Sequence, residues 1–164
     1  MRQTKRLLSF IGILLIAACT DNGIFNPLNN AAGTYTLTVY AGKTLPATFT
    51  VQPGDPQWPQ YPNGATFVFT DGTFVLRNDG SFTETNDFTV TQPGQSGVPN
   101  TFSRTGTWNI SGTEDLTLFI PAQNNLPALT DTGTLTEDAN GRLTINYDED
   151  IGGGTFESFE YKRQ

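Results

Sequence analysis

The chain has no histidine, and its one cysteine, Cys19, stands near the N-terminus. Without imidazole there is no histidine general base, no Ser-His or Cys-His nucleophile and no imidazole-built metal site; without a second thiol there is no thiolate zinc site. Lysine is scarce as well. Beyond residue 18 it occurs at Lys43, in a turn, and at Lys162, near the C-terminus, which is a poor basis for a Ser-Lys pair. Gly152-Gly153-Gly154 lacks the following Lys and Ser/Thr of a phosphate loop and reads as a hairpin connection. No cofactor motif is present, and the sequence reads as that of a non-enzyme. Helical patterning is also missing: nothing after residue 19 repeats apolar residues every three or four positions.

What the sequence has instead is the vocabulary of strands and turns. There are 17 glycines and 10 prolines, abundant threonine, and 12 Phe, 5 Tyr and 2 Trp. At 164 residues the chain is long enough for one domain with a self-sufficient core.

The N-terminus reads as an address. A basic stretch (Arg2, Lys5, Arg6) precedes the apolar run "LLSFIGILLIAA", which is short for a membrane span and ends in small residues at Ala18, the pattern of a secretory signal over residues 1–18. Its end, Leu15-Ile16-Ala17-Ala18-Cys19, resembles the lipobox of bacterial lipoproteins. That resemblance implies acylation of the Cys19 sulfur, cleavage after Ala18, and retention of the protein on a bilayer by its acyl chains. Thr20 is not the Asp associated with inner-membrane retention, so the implied location is the periplasmic face of the outer membrane. Removal of residues 1–18 takes three of nine basic residues and none of sixteen acidic ones, changing the net charge from −7 to −10. So acidic a domain is unsuited to nucleic acid.

Residues 19–32, the lipidated cysteine and "TDNGIFNPLNNAA", have no periodicity and read as a tether. From residue 33 to 164 the sequence alternates. Strands are expected at 34–40, 46–52, 65–70, 73–78, 81–91, 101–111, 115–120, 130–137, 142–148 and 154–163, with Asp71-Gly72, Asp79-Gly80 and Asn140-Gly141 as hairpin turns. The expectation is an all-β domain, an antiparallel up-and-down barrel of about eight to ten strands, with a β-sandwich as the alternative. The short strands and Thr-rich alternate face argue against a transmembrane barrel.

The phrases "GTYTLTVYAGKTLPATFT", "DGTFVLRNDGSFTET", "GTWNISGTEDLTLFI", "GTLTEDANGRLTINY" and "GTFESFEYKR" resemble the lipocalin-like domain of small bacterial lipoproteins over residues 33–163. Gly33-Thr34-Tyr35 stands where lipocalins carry Gly-x-Trp. Arg163 lies on the last strand, where that family's Arg packs across the aromatic ring. Tyr replaces Trp, and no C-terminal helix follows.

The resemblance and the alternation nominate Tyr35, Leu37, Val39, Phe69, Phe74, Phe82, Trp108 and Leu118 as barrel-interior residues facing a small apolar or amphipathic ligand. The Pro-rich stretch 51–67 holds Trp58 and Tyr61, expected either to fold back over the core or to make a loop contact. Among acidic groups, Asp148-Glu149-Asp150 reads as solvated charge at a hairpin tip rather than a Ca²⁺ site. Glu84 with Asp87 and Glu114 with Asp115 read as outward-facing strand residues rather than glycosidase pairs. The expected function is a non-enzymatic, lipid-anchored envelope protein with a ligand-holding barrel; the alternative is a fully packed barrel serving a structural or protein-contact role.

Overall fold

Alternating threonine with aromatic and aliphatic residues gives the longer strands one apolar face, and the antiparallel sheet they form buries those faces against one another. The computed structural model describes residues 31–122, 127–152 and 155–164, with residues 150–152 and 155–156 described by their backbone alone. The strands are β1 (Gly33–Tyr40), β2 (Lys43–Thr44), β3 (Ala47–Val51), β4 (Ala65–Leu76), β5 (Ser81–Thr91), β6 (Val98–Ser111), β7 (Asp115–Ile120), β8 (Leu129–Glu137), β9 (Leu143–Gly152) and β10 (Thr155–Arg163).

Each strand from β4 to β10 pairs with the next in sequence, and β10 returns to β1. The ring closes because the first half of β1 also pairs with the second half of β4, Gly33 opposite Leu76 and Thr36 opposite Thr73. The result is a closed antiparallel barrel of eight strands, in keeping with a lipocalin-like all-β fold. Closure excludes the sandwich. Where β1 and β4 part, β2 pairs with the end of β1, and β3 with the start of β4. Together they cover what would otherwise be two open edges.

Two of the expected turns form with positive φ at Gly80 and Gly141. The third does not. Asp71-Gly72 lies inside β4, which runs unbroken from Ala65 to Leu76, and the register slips between Phe69 and Asp71 at a bulge. Gly72 faces inward there: a Cβ would stand 2.3 Å from Asn86 Oδ1 and 2.8 Å from Leu37 Cβ, so close approach rather than turning explains the glycine.

A second bulge, between Leu37 and Val39, shifts the facing of β1. Tyr40 therefore enters the core, while Val39 pairs with Glu160 and lies on the outer face, correcting its assignment to the interior.

The end of the barrel where β1 starts is solid. Tyr35, Leu76, Phe74, Phe82, Leu116, Leu118 and Ile145 are fully buried, and Phe74 stacks on Phe82 at 5.1 Å. Trp108 closes this end with its indole N–H donating to the Arg77 carbonyl at 3.1 Å. Packing extends just upstream of β1. The Tyr35 hydroxyl donates to the carbonyl of the buried Ala31, and Arg163, opposite Tyr35 in register, donates to the Ala32 carbonyl at 2.9 Å. Burial pushes the Tyr35 phenol up to about 12, with Arg163 opposing the rise.

The opposite end is uneven. Residues 98–106 of β6 pair only with β5 among the described residues, and β9 runs past its last pairing with β8 at Asp148. The two long hairpins, β5–β6 and β9–β10, thus stand above the shorter β7–β8 pair.

Candidate functional site

The interior changes character halfway along the barrel. Above the packed end lies a buried polar layer centred on Glu84 of β5, which is 0% exposed. Its Oε1 accepts hydrogen bonds from the Tyr147 hydroxyl at 2.5 Å, the Tyr161 hydroxyl at 2.6 Å and the Asn86 amide at 2.8 Å. Its Oε2 accepts from Arg104 Nε at 2.5 Å. Arg104, on β6, reaches across the barrel with Nη1, 2.9 Å from Asp131 of β8 and 3.1 Å from Glu149 of β9. Its guanidinium also lies 5.3 Å from the Tyr147 ring centroid. Arg104 Nη2 has no hydrogen-bond partner among the described residues.

The charges shape one another. Burial works against the Arg104 cation, but Glu84, Tyr147 and Glu149 more than offset it, so the guanidinium stays charged. Burial and then Glu84 hold the Tyr147 and Tyr161 phenols well above their ordinary value, so both remain hydrogen-bond donors. Glu149 is pushed up to about 7, by burial first, with Glu84 and Asp131 adding to the rise and Arg104 opposing it. Glu157 is pushed up to about 7 by burial.

Above this layer the barrel opens into a cavity of about 290 Å³. Its walls are aromatic on nearly every side: Tyr40 from β1, Phe49 from β3, Phe67 and Phe69 from β4, Phe88 from β5 and Phe159 from β10. Tyr40 and Phe69 stack at 3.8 Å, and Phe69 and Phe88 at 5.1 Å. Asn86, Asn100, Phe102 and Glu149 complete the lining.

Trp58 and Tyr61 fold back over this mouth. Trp58 lies 5.4 Å from Phe67 and 5.9 Å from Phe49, and Tyr61 meets Phe67 edge-on at 5.3 Å. Both are half-buried and line the cavity. Turns hold the loop in place: Gly54 N–H donates to the Pro62 carbonyl, and Tyr61 N–H to that of Trp58.

Of the eight residues nominated for the interior, Phe69 lines the cavity. Tyr35, Leu37, Phe74, Phe82, Trp108 and Leu118 are buried below it, in or next to the packed end, and Val39 is outside. Cys19 lies outside the described residues, as does the rest of the segment 1–30.

Two readings of acidic residues are corrected. Glu84 does not face outward: strand alternation places it inside with Phe82 and Asn86, while Asp87 is exposed and accepts from the Thr101 hydroxyl at 2.6 Å. Glu149 is not solvated loop charge, because β9 continues past it to Gly152 and turns it inward beside Tyr147. Glu114 and Asp115 are exposed at the β6–β7 turn, as expected.

The residues the sequence reading missed are Tyr40, Phe49, Phe67, Phe88, Phe102 and Phe159 in the walls, with Arg104, Asp131, Asn86 and Glu157 in and near the polar layer. One signal was available. Glu84, Asn86, Phe88 and Val90 continue the alternation that begins at Phe82, so parity alone places a carboxylate and an amide on the inner face.

Set against known protein families, curated proteins and solved structures, the chain matches none of them.

Proposed function

We propose that this protein is a non-enzymatic bacterial envelope lipoprotein, held through acylated Cys19 at the periplasmic face of the outer membrane, whose barrel binds one small amphipathic molecule at its mouth. The observation that carries the binding half is the division of the interior into a packed end and a hollow one. A cavity of about 290 Å³, with aromatic walls over a polar base, is near the lower size limit of small-molecule sites and has their usual character. The fully packed alternative describes the Trp108 end and leaves the mouth unexplained.

The anchoring half is supported by the lipobox and by physics: two or three acyl chains hold a domain stably where one chain does not. Cys19→Ala is expected to abolish lipid labelling and membrane retention of the mature protein; unchanged labelling would overturn this half.

Binding is tested by native mass spectrometry of the full chain purified from its own envelope. A stoichiometric small molecule is expected, lost in a Phe69→Ala variant. Recovery of the protein with no small molecule, together with no saturable uptake of an aromatic probe, would overturn the reading.

A further inference from the structure

The mouth cavity has aromatic walls with a carboxyl group, that of Glu149, among them. Tyr40, Phe69, Phe88, Phe102 and Trp58 offer rings from separate elements, and an aromatic face attracts a cation through its quadrupole. Glu149 is the charged side chain in the lining among the described residues. Directly across the β9–β10 ladder stands Glu157, on the same inward face as Phe159 and Tyr161. Glu157 is 5% exposed, and its Oε2 has no hydrogen-bond partner among the described residues. Beneath them Glu84 and Asp131 share Arg104. The upper interior thus sets four carboxylates against one guanidinium, an imbalance that burial makes unfavourable unless protons or a further cation supply positive charge.

The same geometry disfavours other occupants. Of the donors beneath the cavity, Tyr147, Tyr161 and Arg104 Nε are committed to Glu84, and Arg104 Nη1 to Asp131 and Glu149; Arg104 Nη2 alone among the guanidinium nitrogens has no partner among the described residues, one donor where a carboxylate takes several. Another anion would also deepen the charge excess. A metal ion is a poor fit, because no three acidic groups among the described residues converge closely enough to hold one. A neutral apolar molecule would fit the rings but leave protons alone to compensate the carboxyls.

We propose that the mouth cavity binds a small organic cation, an alkyl- or aryl-substituted ammonium, packed against the rings with its charge toward Glu149 and Glu157. The inference rests on the reading of the cavity as a ligand site and names the chemistry that site selects. Burial that leaves both carboxyls partly protonated near neutral pH is relieved when an ammonium arrives, so binding releases protons from the mouth. The charged groups acting on Glu149 in that exchange are Arg104 from β6, Glu84 from β5 and Asp131 from β8, while Glu157 from β10 stands opposite it in strand register.

The test uses the full lipidated chain in phosphatidylglycerol vesicles, with empty vesicles as the reference, and three probes of one shape: benzyltrimethylammonium, benzyl alcohol and benzoate. Calorimetry is expected to show the cation binding at least about tenfold more tightly than the alcohol, with benzoate weakest. Glu149→Gln with Glu157→Gln is expected to bring cation and alcohol within about twofold, whereas Glu149→Asp, which keeps the charge, preserves the preference. Alcohol binding as tightly as the cation, or a preference unchanged in the Gln variant, would overturn the cation assignment and leave the cavity reading standing. If none of the three probes binds, the cavity reading falls and this inference with it.

Discussion

Raising the pH from about 5 to about 8.5 is expected to weaken the fold, because Glu149 and Glu157 are held un-ionised inside it. Burial raises each from the ordinary 4.5 to about 7; for Glu149, Arg104 opposes the rise, and Glu84 and Asp131 add to it. In the unfolded chain both lose their protons near 4.5, whereas in the barrel they keep them to about 7. Across that interval the native state binds more protons than the unfolded one. Stability is therefore greatest below the lower value, declines as pH climbs, and levels off above the higher value. At about 1.4 kcal/mol for each pH unit separating the two states, Glu149 accounts for about 3 kcal/mol, and Glu157, where solvent screens more of the charge, for less. The assay is urea unfolding at constant ionic strength at both pH values. Glu149→Gln is expected to remove the larger share of the decline and Glu157→Gln the smaller. Stability that stays level or rises over this range would refute the burial argument, and a decline untouched by both substitutions would refute its assignment to these residues.

Three further outcomes follow from the packing. Arg104→Met leaves Glu84, Asp131 and Glu149 without their shared cation and is expected to cost about 3–5 kcal/mol in denaturant unfolding; a cost under about 1 kcal/mol would show that the layer is held by other contacts. Gly72→Ala drives a methyl against Asn86 Oδ1 and Leu37 and is expected to cost about 1–3 kcal/mol, read as a lowered melting temperature. Trp58→Ala removes a half-buried lid residue, so melting is expected to change little while probe affinity at the mouth falls severalfold; unchanged affinity would place the binding surface elsewhere.

Much of the barrel was legible in advance because strand alternation and glycine turns are local signals. Tyr35, Leu37 and Phe74 show their facing within a few residues, and Asp79-Gly80 and Asn140-Gly141 mark turns that form. Bulges are where the local signal fails. Asp71-Gly72 has the composition of a turn, yet its glycine serves the approach of Asn86 from the neighbouring strand. Val39 and Tyr40 exchange faces because β10 imposes a slip in register on β1. Neither partner is near in sequence.

The sequence by itself determined that the protein is all-β and that its domain, residues 33–164, has no thiol or imidazole chemistry. Those properties depend on residue type and short-range order. Only the tertiary structure decided that the Trp108 end is solid while the Trp58 end is hollow, and that Glu84, Asp131, Glu149 and Glu157 share one interior with Arg104. Those residues come from five strands, β5, β6, β8, β9 and β10, and the height at which each stands inside the barrel is set by register and relative strand length, which closure alone establishes.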